Sequence, residues 1–340
     1  VLNRHQDNLD LLFVDASSAA TKVVLNEKDA AYVDVTDNLT FLKDNSFLWT
    51  SERDGFNHIY YHDKTGKLQN QVTKGNWEVS SFYGFDDKSG NVFYQSTEGG
   101  SINREVYSIS LNGKNKKKLS GQTGTSSATF SPKYDYYINS FSSASVPPTY
   151  TLHETRGGKQ LQTIVENNSL VEKLKAYTIP AKEFMVIKTE KGIELNAWMI
   201  KPKDFDPAKK YPVFMFQYSG PGSQQVANDW FDYNDMWFIS LTQEGYIVAC
   251  VDGRGTGFKG AAFKKVTQKQ LGKYEVEDQI DAAKVIGNYP YVDKSRIGIF
   301  GWSYGGFMAS NCILKGADVF KMAIAVAPVT NWRFYDSIYT

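Results

Sequence analysis

From Val1 to about residue 165, polar and apolar positions alternate in short bursts separated by turn pairs, the period-two signature of half-buried strands. The bursts recur. Phe47-Leu48-Trp49 is matched by Val92-Phe93-Tyr94 and more loosely by Tyr137-Ile138-Asn139. Ile59-Tyr60-Tyr61 is matched by Val106-Tyr107-Ser108 and, again loosely, by Tyr150-Thr151-Leu152. Thr65-Gly66, Asn112-Gly113 and Gly157-Gly158 keep the same pace, and Leu12-Phe13-Val14 anticipates the set upstream. The spacing is about 45 residues, that of a four-stranded propeller blade; a sandwich would have strands of this kind but no fixed period. Residues 1–170 therefore predict part of a β-propeller, about three and a half blades. A ring closes with about four to eight, so the rest of the propeller is expected before Val1.

Beyond this the pattern changes. Val213-Phe214-Met215-Phe216, Tyr246 to Val251, Arg296 to Phe300 and Met322 to Val326 are nearly continuous apolar runs, as strands of a parallel sheet covered on both faces require. Between two of them Glu275–Asn288 reads as an amphipathic helix, with Val276, Ile280, Ala283 and Ile286 on one side. Buried strands alternating with helices make residues 177–340 an α/β domain.

The candidate chemistry sits where the third run ends. Arg296–Phe300 predicts a strand, Gly301-Trp302-Ser303-Tyr304-Gly305-Gly306 a tight turn, and Phe307–Leu314 a helix. A Gly-x-Ser-x-Gly match in that strand–turn–helix context reads as the nucleophile elbow of an α/β-hydrolase, with Ser303 as the attacking residue. The competing reading, an inert Gly/Ser turn, loses weight because both flanking elements are in place. Such a site takes the backbone N–H after the nucleophile, here that of Tyr304, plus a second donor from an earlier strand's end. Tyr218, which follows the run ending at Gln217, is placed to offer a phenolic O–H, although spacing alone favours simple packing there. Trp332, Tyr335 and Tyr339 fall at i, i+3 and i+7, one face of a helix, which by itself reads as core.

Composition narrows the classes. Of 340 residues 41% are hydrophobic and 14% aromatic, and 38 basic residues balance 37 acidic ones, leaving no electrostatic footprint for nucleic acid or an anionic membrane. The one basic run, Lys114 to Lys118, follows Asn112-Gly113 and reads as a solvated hairpin turn. Cys250 and Cys312 each lie in an apolar stretch and are expected to be buried free thiols. No apolar run reaches membrane-spanning length, and Val1-Leu2-Asn3-Arg4 has no signal-peptide character. Because the chain opens on Val1 rather than Met, it is expected to start inside a longer protein, where any targeting segment would lie.

The elbow Gly301-Trp302-Ser303-Tyr304-Gly305-Gly306 resembles that of the prolyl oligopeptidase superfamily, and its Trp and Tyr resemble the dipeptidyl peptidase IV branch. Tyr218 to Gln224, Asp252-Gly253-Arg254-Gly255-Thr256-Gly257, Glu275 to Ile280, Ala325-Val326-Ala327-Pro328-Val329, Trp332 to Tyr339 and Gly75-Asn76-Trp77-Glu78-Val79 agree with it. The resemblance covers essentially the whole chain. It implies a bacterial-type serine exopeptidase that releases dipeptides after a penultimate Pro or Ala, acts on peptides, uses neither metal nor organic cofactor, forms a homodimer and works outside the cytoplasm. It makes Tyr218 the oxyanion tyrosine, and Val329, Trp332, Tyr335 and Tyr339 the walls of a proline pocket. A flat ring without an N–H suits such walls, since aromatic faces bind it and leave no polar group unpaired. A tripeptidyl or acylaminoacyl relative, or a propeller binding protein with an inactive hydrolase domain, are the alternatives.

Two elements of that machinery are not found among these residues. In this fold the triad runs Ser, Asp, His, yet His5, His58, His62 and His153 all precede Ser303. Asp318 and Asp336 follow it but do not come off a later strand. The triad Asp and His are thus expected beyond Thr340. The family's paired glutamates that grip the substrate's amino terminus are expected before Val1, because Glu27, Glu52 and Glu78 stand singly.

Overall fold

The computed structural model describes residues 1–231 and 234–336. The chain divides into two units. The first is Val1–Ser142, Pro148–Glu166 and Phe258–Lys265; the second is Ser143–Pro147, Asn167–Gly257 and Val266–Thr340. The short stretch Phe258–Lys265, which sequence places inside the α/β region, therefore packs with the propeller strands.

In the first unit β1 (Asn8–Val14) and β2 (Thr21–Lys28) form an antiparallel pair. Three four-stranded antiparallel sheets follow. They are β3 (Thr40–Phe41), β4 (Phe47–Ser51), β5 (His58–His62) and β6 (Leu68–Gln71); β7 (Val79–Asp86), β8 (Asn91–Ser96), β9 (Glu105–Ser110) and β10 (Lys117–Lys118); and β11 (Thr125–Phe130), β12 (Tyr136–Ser143), β13 (Val146–Glu154) and β14 (Gln160–Val165). Each sequence repeat falls on one strand type. Trp49, Tyr94 and Asn139 lie on second strands, Ile59, Val106 and Thr151 on third strands, and the three turn pairs join third to fourth strands. Leu48, Ile59, Val79, Val92, Tyr94, Tyr107 and Ile109 pack into one core cluster that spans two sheets. Burying a side chain of this size fully is worth ~1.5–3 kcal/mol.

The single glutamates have structural partners in this unit. Glu27 accepts from Trp49 Nε1 at 3.1 Å and Ser51 Oγ at 2.9 Å. Glu78 accepts the Gly260 N–H at 2.7 Å. Glu52 pairs with Lys264 at 2.6 Å and Lys265 at 2.9 Å, both on the short helix α3 (Ala261–Lys265). The basic run is exposed throughout, as its sequence suggests, and also makes local contacts: Lys116 pairs with Glu98, Lys118 with Glu105, and Lys117 Nζ donates to Gly157 O at 2.9 Å.

The second unit holds α1 (Asn168–Leu174) and one six-stranded sheet in the order β15 (Lys182–Lys188), β16 (Glu194–Ile200), β18 (Ile247–Asp252), β17 (Tyr211–Phe216), β19 (Val292–Trp302) and β20 (Phe320–Val326). β18, β17, β19 and β20 run parallel, while β16 is antiparallel to both β15 and β18. The helices α2 (Asp235–Gln243), α4 (Tyr274–Gly287) and α5 (Tyr304–Lys315) occupy the crossovers. β17 and β18 are buried as their unbroken apolar runs require, but β20 departs from that expectation. Met322 and Ile324 on β20, which stands at the end of the described sheet, are exposed. Cys250 and Cys312 are buried free thiols, and burial pushes the Cys312 thiol up to about 12, so it stays protonated and inert. Among the described residues no helix is long and apolar enough to cross a membrane, and no cluster of three or more His, Cys, Asp or Glu could hold a metal ion.

Candidate active site

β19 delivers the chain to Ser303 and α5 carries it away with no loop between them. Sequence predicts a six-residue turn; the structure concentrates the reversal in Ser303 alone, at φ 59° and ψ −114°. Such a conformation costs a residue with a side chain ~1–3 kcal/mol, and it persists only where its surroundings enforce it. Here the Ser303 N–H donates to Val326 O at 2.9 Å, and Ser303 O accepts from the Phe307 N–H at 3.0 Å. Close approach explains the flanking glycines. A Cβ on Gly301 would lie 2.2 Å from Gly305 O, and one on Gly305 would lie 2.6 Å from Gln217 O. Strand, helix and the end of β17 thus meet at backbone contact, leaving the Ser303 side chain half-buried at the head of α5. The helix N-terminus brings partial positive charge to the same spot.

Tyr218 comes two residues after β17 ends. Its hydroxyl and that of Ser303 are near enough to interact electrostatically. Burial raises the phenol's pKa, nearby Tyr335 raises it further, and the neighbouring Ser303 hydroxyl lowers it; the net direction is up, so Tyr218 remains an O–H donor at neutral pH. Tyr304 is the first residue of α5, so its backbone N–H belongs to the set a helix does not satisfy internally.

The aromatic residues gather around Tyr304, which is 1% exposed. Its ring centroid lies 5.3 Å from Trp332, 5.5 Å from Phe307 and 6.2 Å from Tyr218. Tyr335 stands edge-on to Trp332 at 5.6 Å and is 47% exposed. The helical stripe expected over this stretch is not formed. Trp332–Phe334 is a single 3-10 turn capped by the Asn331 side chain, and Tyr335 is already extended. Val329 is half-buried in the segment between β20 and that turn, and Tyr339 lies outside the described residues.

No histidine belongs to the second unit. His58 is held by Thr73 Oγ1 and Gly75 O, His62 by Gly66 O and His153 by Thr151 and Gly158 O, all within the first unit, while His5 is exposed there. Asp318 and Asp336 are exposed.

Four buried polar residues, none of them marked by apolar periodicity, brace this site. Gln217 Nε2 donates to Gly305 O at 2.8 Å, tying the end of β17 to the elbow. Gln279 Nε2 donates to Val251 O at 2.7 Å. Asp278 takes the Arg254 backbone N–H at 2.7 Å and its guanidinium at 2.6 Å, which fixes the loop after β18. Glu275 accepts the Tyr304 O–H at 2.5 Å. The sequence does hold a signal for the helical members: Glu275, Gln279 and Ala282 recur at i, i+4 and i+7, a second face beside the apolar one.

Comparisons with known proteins agree with this architecture. Residues 1–148 match the family model for the dipeptidyl peptidase IV N-terminal region, and residues 231–340 match that for the prolyl oligopeptidase family. Dipeptidyl peptidase 4 of Trichophyton equinum is 36% identical over 352 residues, covering 99% of this chain and 45% of that protein. Dipeptidyl peptidase 4 of Arthroderma otae is 36% identical over 349 residues, with the same 99% and 45% covered. The crystal structure of Porphyromonas gingivalis dipeptidyl peptidase 4 superposes with a TM-score of 0.95 at 48% identity, covering 99% of this chain and 48% of that one. The chain spans about half the length of these relatives. Motifs, fold and likeness converge: the chain is similar to dipeptidyl peptidase 4 enzymes, with a region matching the dipeptidyl peptidase IV N-terminal region followed by one matching the prolyl oligopeptidase family.

Proposed function

We propose that this chain carries the nucleophile, oxyanion hole and proline pocket of a serine exopeptidase that releases Xaa-Pro or Xaa-Ala dipeptides from peptide amino termini. The observation that carries the reading is Ser303 itself: a strained residue at a strand–helix junction, with the Tyr218 hydroxyl close enough to interact with its side chain. Strain of that kind makes sense where a side chain must be presented rather than packed. In this mechanism Ser303 Oγ attacks the carbonyl of the penultimate Pro or Ala, and a general base takes its proton. The second unit offers no imidazole for that step. The carbonyl oxygen becomes an oxyanion, to which the Tyr218 O–H and the Tyr304 N–H donate. The C–N bond then breaks, the leaving amine takes the proton, and water hydrolyses the Ser303 ester.

Val329, Trp332, Tyr335 and Tyr339 form the pocket walls in the same reading, with Tyr335 left half-exposed to meet substrate. A homodimer working outside the cytoplasm is part of the proposal. The test uses the protein that carries this chain, a fluorophosphonate probe and a Gly-Pro-anilide. Ser303→Ala abolishes both labelling and hydrolysis while leaving the melting temperature nearly unchanged. Retained hydrolysis in that variant would overturn the reading.

A further inference from the structure

Glu275 is a buried carboxylate without a role in the reaction just described. It sits in the first turn of α4 with 0% of its surface exposed. Taking a carboxylate out of water is costly unless good partners replace the hydration. The partners found here are two donors aimed at one side chain. Tyr304 Oη donates to Oε1 at 2.5 Å, and the Gly272 N–H is shared between Oε1 and Oε2 at 3.1 Å each. Burial raises the carboxyl's pKa, while the bonds from Tyr304 and Gly272 lower it.

The target matters more than the burial. Tyr304 follows Ser303 directly, and its ring packs against Tyr218, Phe307 and Trp332. A phenylalanine would fill the same aromatic space without calling for a buried acid. The hydroxyl adds a fixed point at the far end of the ring. Glu275 thereby joins α4 to the first residue of α5, and the Gly272 loop closes the other side. A Cβ on Gly272 would meet the Phe307 ring at 2.6 Å, so that loop is already pressed against the same aromatic group.

We propose that Glu275 is a positioning residue: through the Tyr304 hydroxyl it holds residue 304, so that its N–H stays aimed at the oxyanion and its ring stays packed against Trp332. The inference rests on the reading of Ser303 as nucleophile. Glu275 touches no substrate atom and acts only through Tyr304. Its effect falls on the transition state, because the oxyanion exists only there.

The test compares Glu275→Ala, Glu275→Gln, Tyr304→Phe and the Glu275→Ala/Tyr304→Phe double variant in the protein that carries this chain. Each is assayed on a dipeptidyl anilide, with active sites counted by fluorophosphonate titration. Glu275→Ala lowers kcat per titrated site by ~10- to ~10²-fold, the scale of a misplacement below 1 Å at a reacting group, with a smaller change in KM. Glu275→Gln restores kcat to within about 5-fold of the parent, because the amide oxygen still accepts from Tyr304. Tyr304→Phe matches the Ala variant, and the double variant is no worse than either single one, as expected when two changes break one contact. If Glu275→Ala does not fold, Glu275→Gln and Tyr304→Phe carry the comparison: Tyr304→Phe with parental kcat overturns the proposal. An unchanged kcat per titrated site with a lowered melting temperature makes Glu275 a structural brace and overturns it too, as do losses that multiply in the double variant. These failures leave Ser303 labelled by the probe. Loss of the nucleophile reading shows differently, as hydrolysis that survives Ser303→Ala.

Discussion

Gly305→Ala is the sharpest test of the elbow, because two known effects oppose each other and their sizes differ. Gly305 lies inside the first turn of α5, where alanine is the better helix former by about 1 kcal/mol. Its added Cβ, however, would sit 2.6 Å from the backbone oxygen of Gln217 and 3.3 Å from Tyr218 Cα. Ordinary contact requires the two backbones to part by about 0.8 Å. Neither side can yield cheaply. Gln217 is held by its N–H to Phe300 O at 3.1 Å and by its side chain to Gly305 O at 2.8 Å, and Tyr218 is the next residue. Overpacking of this kind costs ~1–3 kcal/mol, so net stability falls by only about 0–2 kcal/mol after the helix gain. Activity suffers more. Moving Tyr218 relative to Ser303 by most of an ångström is expected to cut kcat by ~10²-fold. The assays are the second-order rate of fluorophosphonate labelling, kcat on a Gly-Pro-anilide, and the melting temperature. Gly121→Ala is the control, since nothing lies within 4 Å of its added Cβ, and it leaves all three unchanged. Labelling and kcat within about 3-fold of the parent in Gly305→Ala would refute the argument that backbone contact at the elbow sets the geometry of Ser303 and Tyr218.

Three further outcomes are expected. Tyr218→Phe lowers kcat by ~10²–10³-fold with KM nearly unchanged, as for loss of one oxyanion donor; a raised KM with kcat intact would instead make Tyr218 a substrate-binding residue. Tyr335→Ala changes the ratio of kcat/KM for Xaa-Pro over Xaa-Ala substrates and shifts the melting temperature only slightly. A fully buried aromatic would cost ~3–5 kcal/mol on truncation, whereas this ring is 47% exposed, and an unchanged ratio with a collapsed melting point would refute the pocket assignment. Burial lowers the His58 and His62 pKa values below 6.5 in the folded protein. Their contribution to stability is therefore present above about pH 6.5 and is lost as pH falls through the folded values, where the unfolded chain binds protons first. Glu78 and Glu275, raised by burial, act with the opposite sign. Comparing the melting temperature of His58→Gln with the parent between pH 7.5 and 5.5 isolates the first effect, and parallel curves would rule it out.

Repeat spacing and apolar runs carry far because each reflects burial that is uniform along an element. Phe47, Val92 and Tyr137 are inward-facing residues of second strands, so a period of about 45 residues is enough to place three blades. The elbow is legible for another reason: its glycines are required by backbone contact, which leaves no freedom of residue type. What stays hidden is the polar scaffolding. Glu275 and Gln279 share a second face of α4 with Ala282, but what they and Asp278 do shows only when α4 is laid against the loops they serve, since a polar residue's burial depends on partners far away in sequence. Glu52 and Glu78 look isolated for the same reason; their partners lie around residues 260–265, about two hundred positions downstream. The aromatic stripe fails more simply. Spacing of i, i+3 and i+7 suits a helix, but Asn331 caps a single turn and the chain is extended again by Tyr335.

The parallel order β18, β17, β19 explains why these particular segments converge. Chain ends of parallel strands open on the same edge of the sheet, so Tyr218 after β17, the Asp252–Gly257 loop after β18 and Ser303 after β19 are neighbours in space although 85 residues separate Tyr218 from Ser303. Loops so placed need fixing, because nothing in the strand ladder extends to them. Here buried side chains anchor two of them: the Ser303 elbow by Gln217 and, at residue 304, by Glu275, and the loop after β18 by Asp278. Two of the three anchors come from one helix, α4. A rigid α4 therefore makes the geometry at Ser303 insensitive to motion in any single loop. That arrangement requires a helix carrying buried acids, and the Glu275 and Gly305 variants measure whether the rigidity it provides is felt at the reacting oxygen.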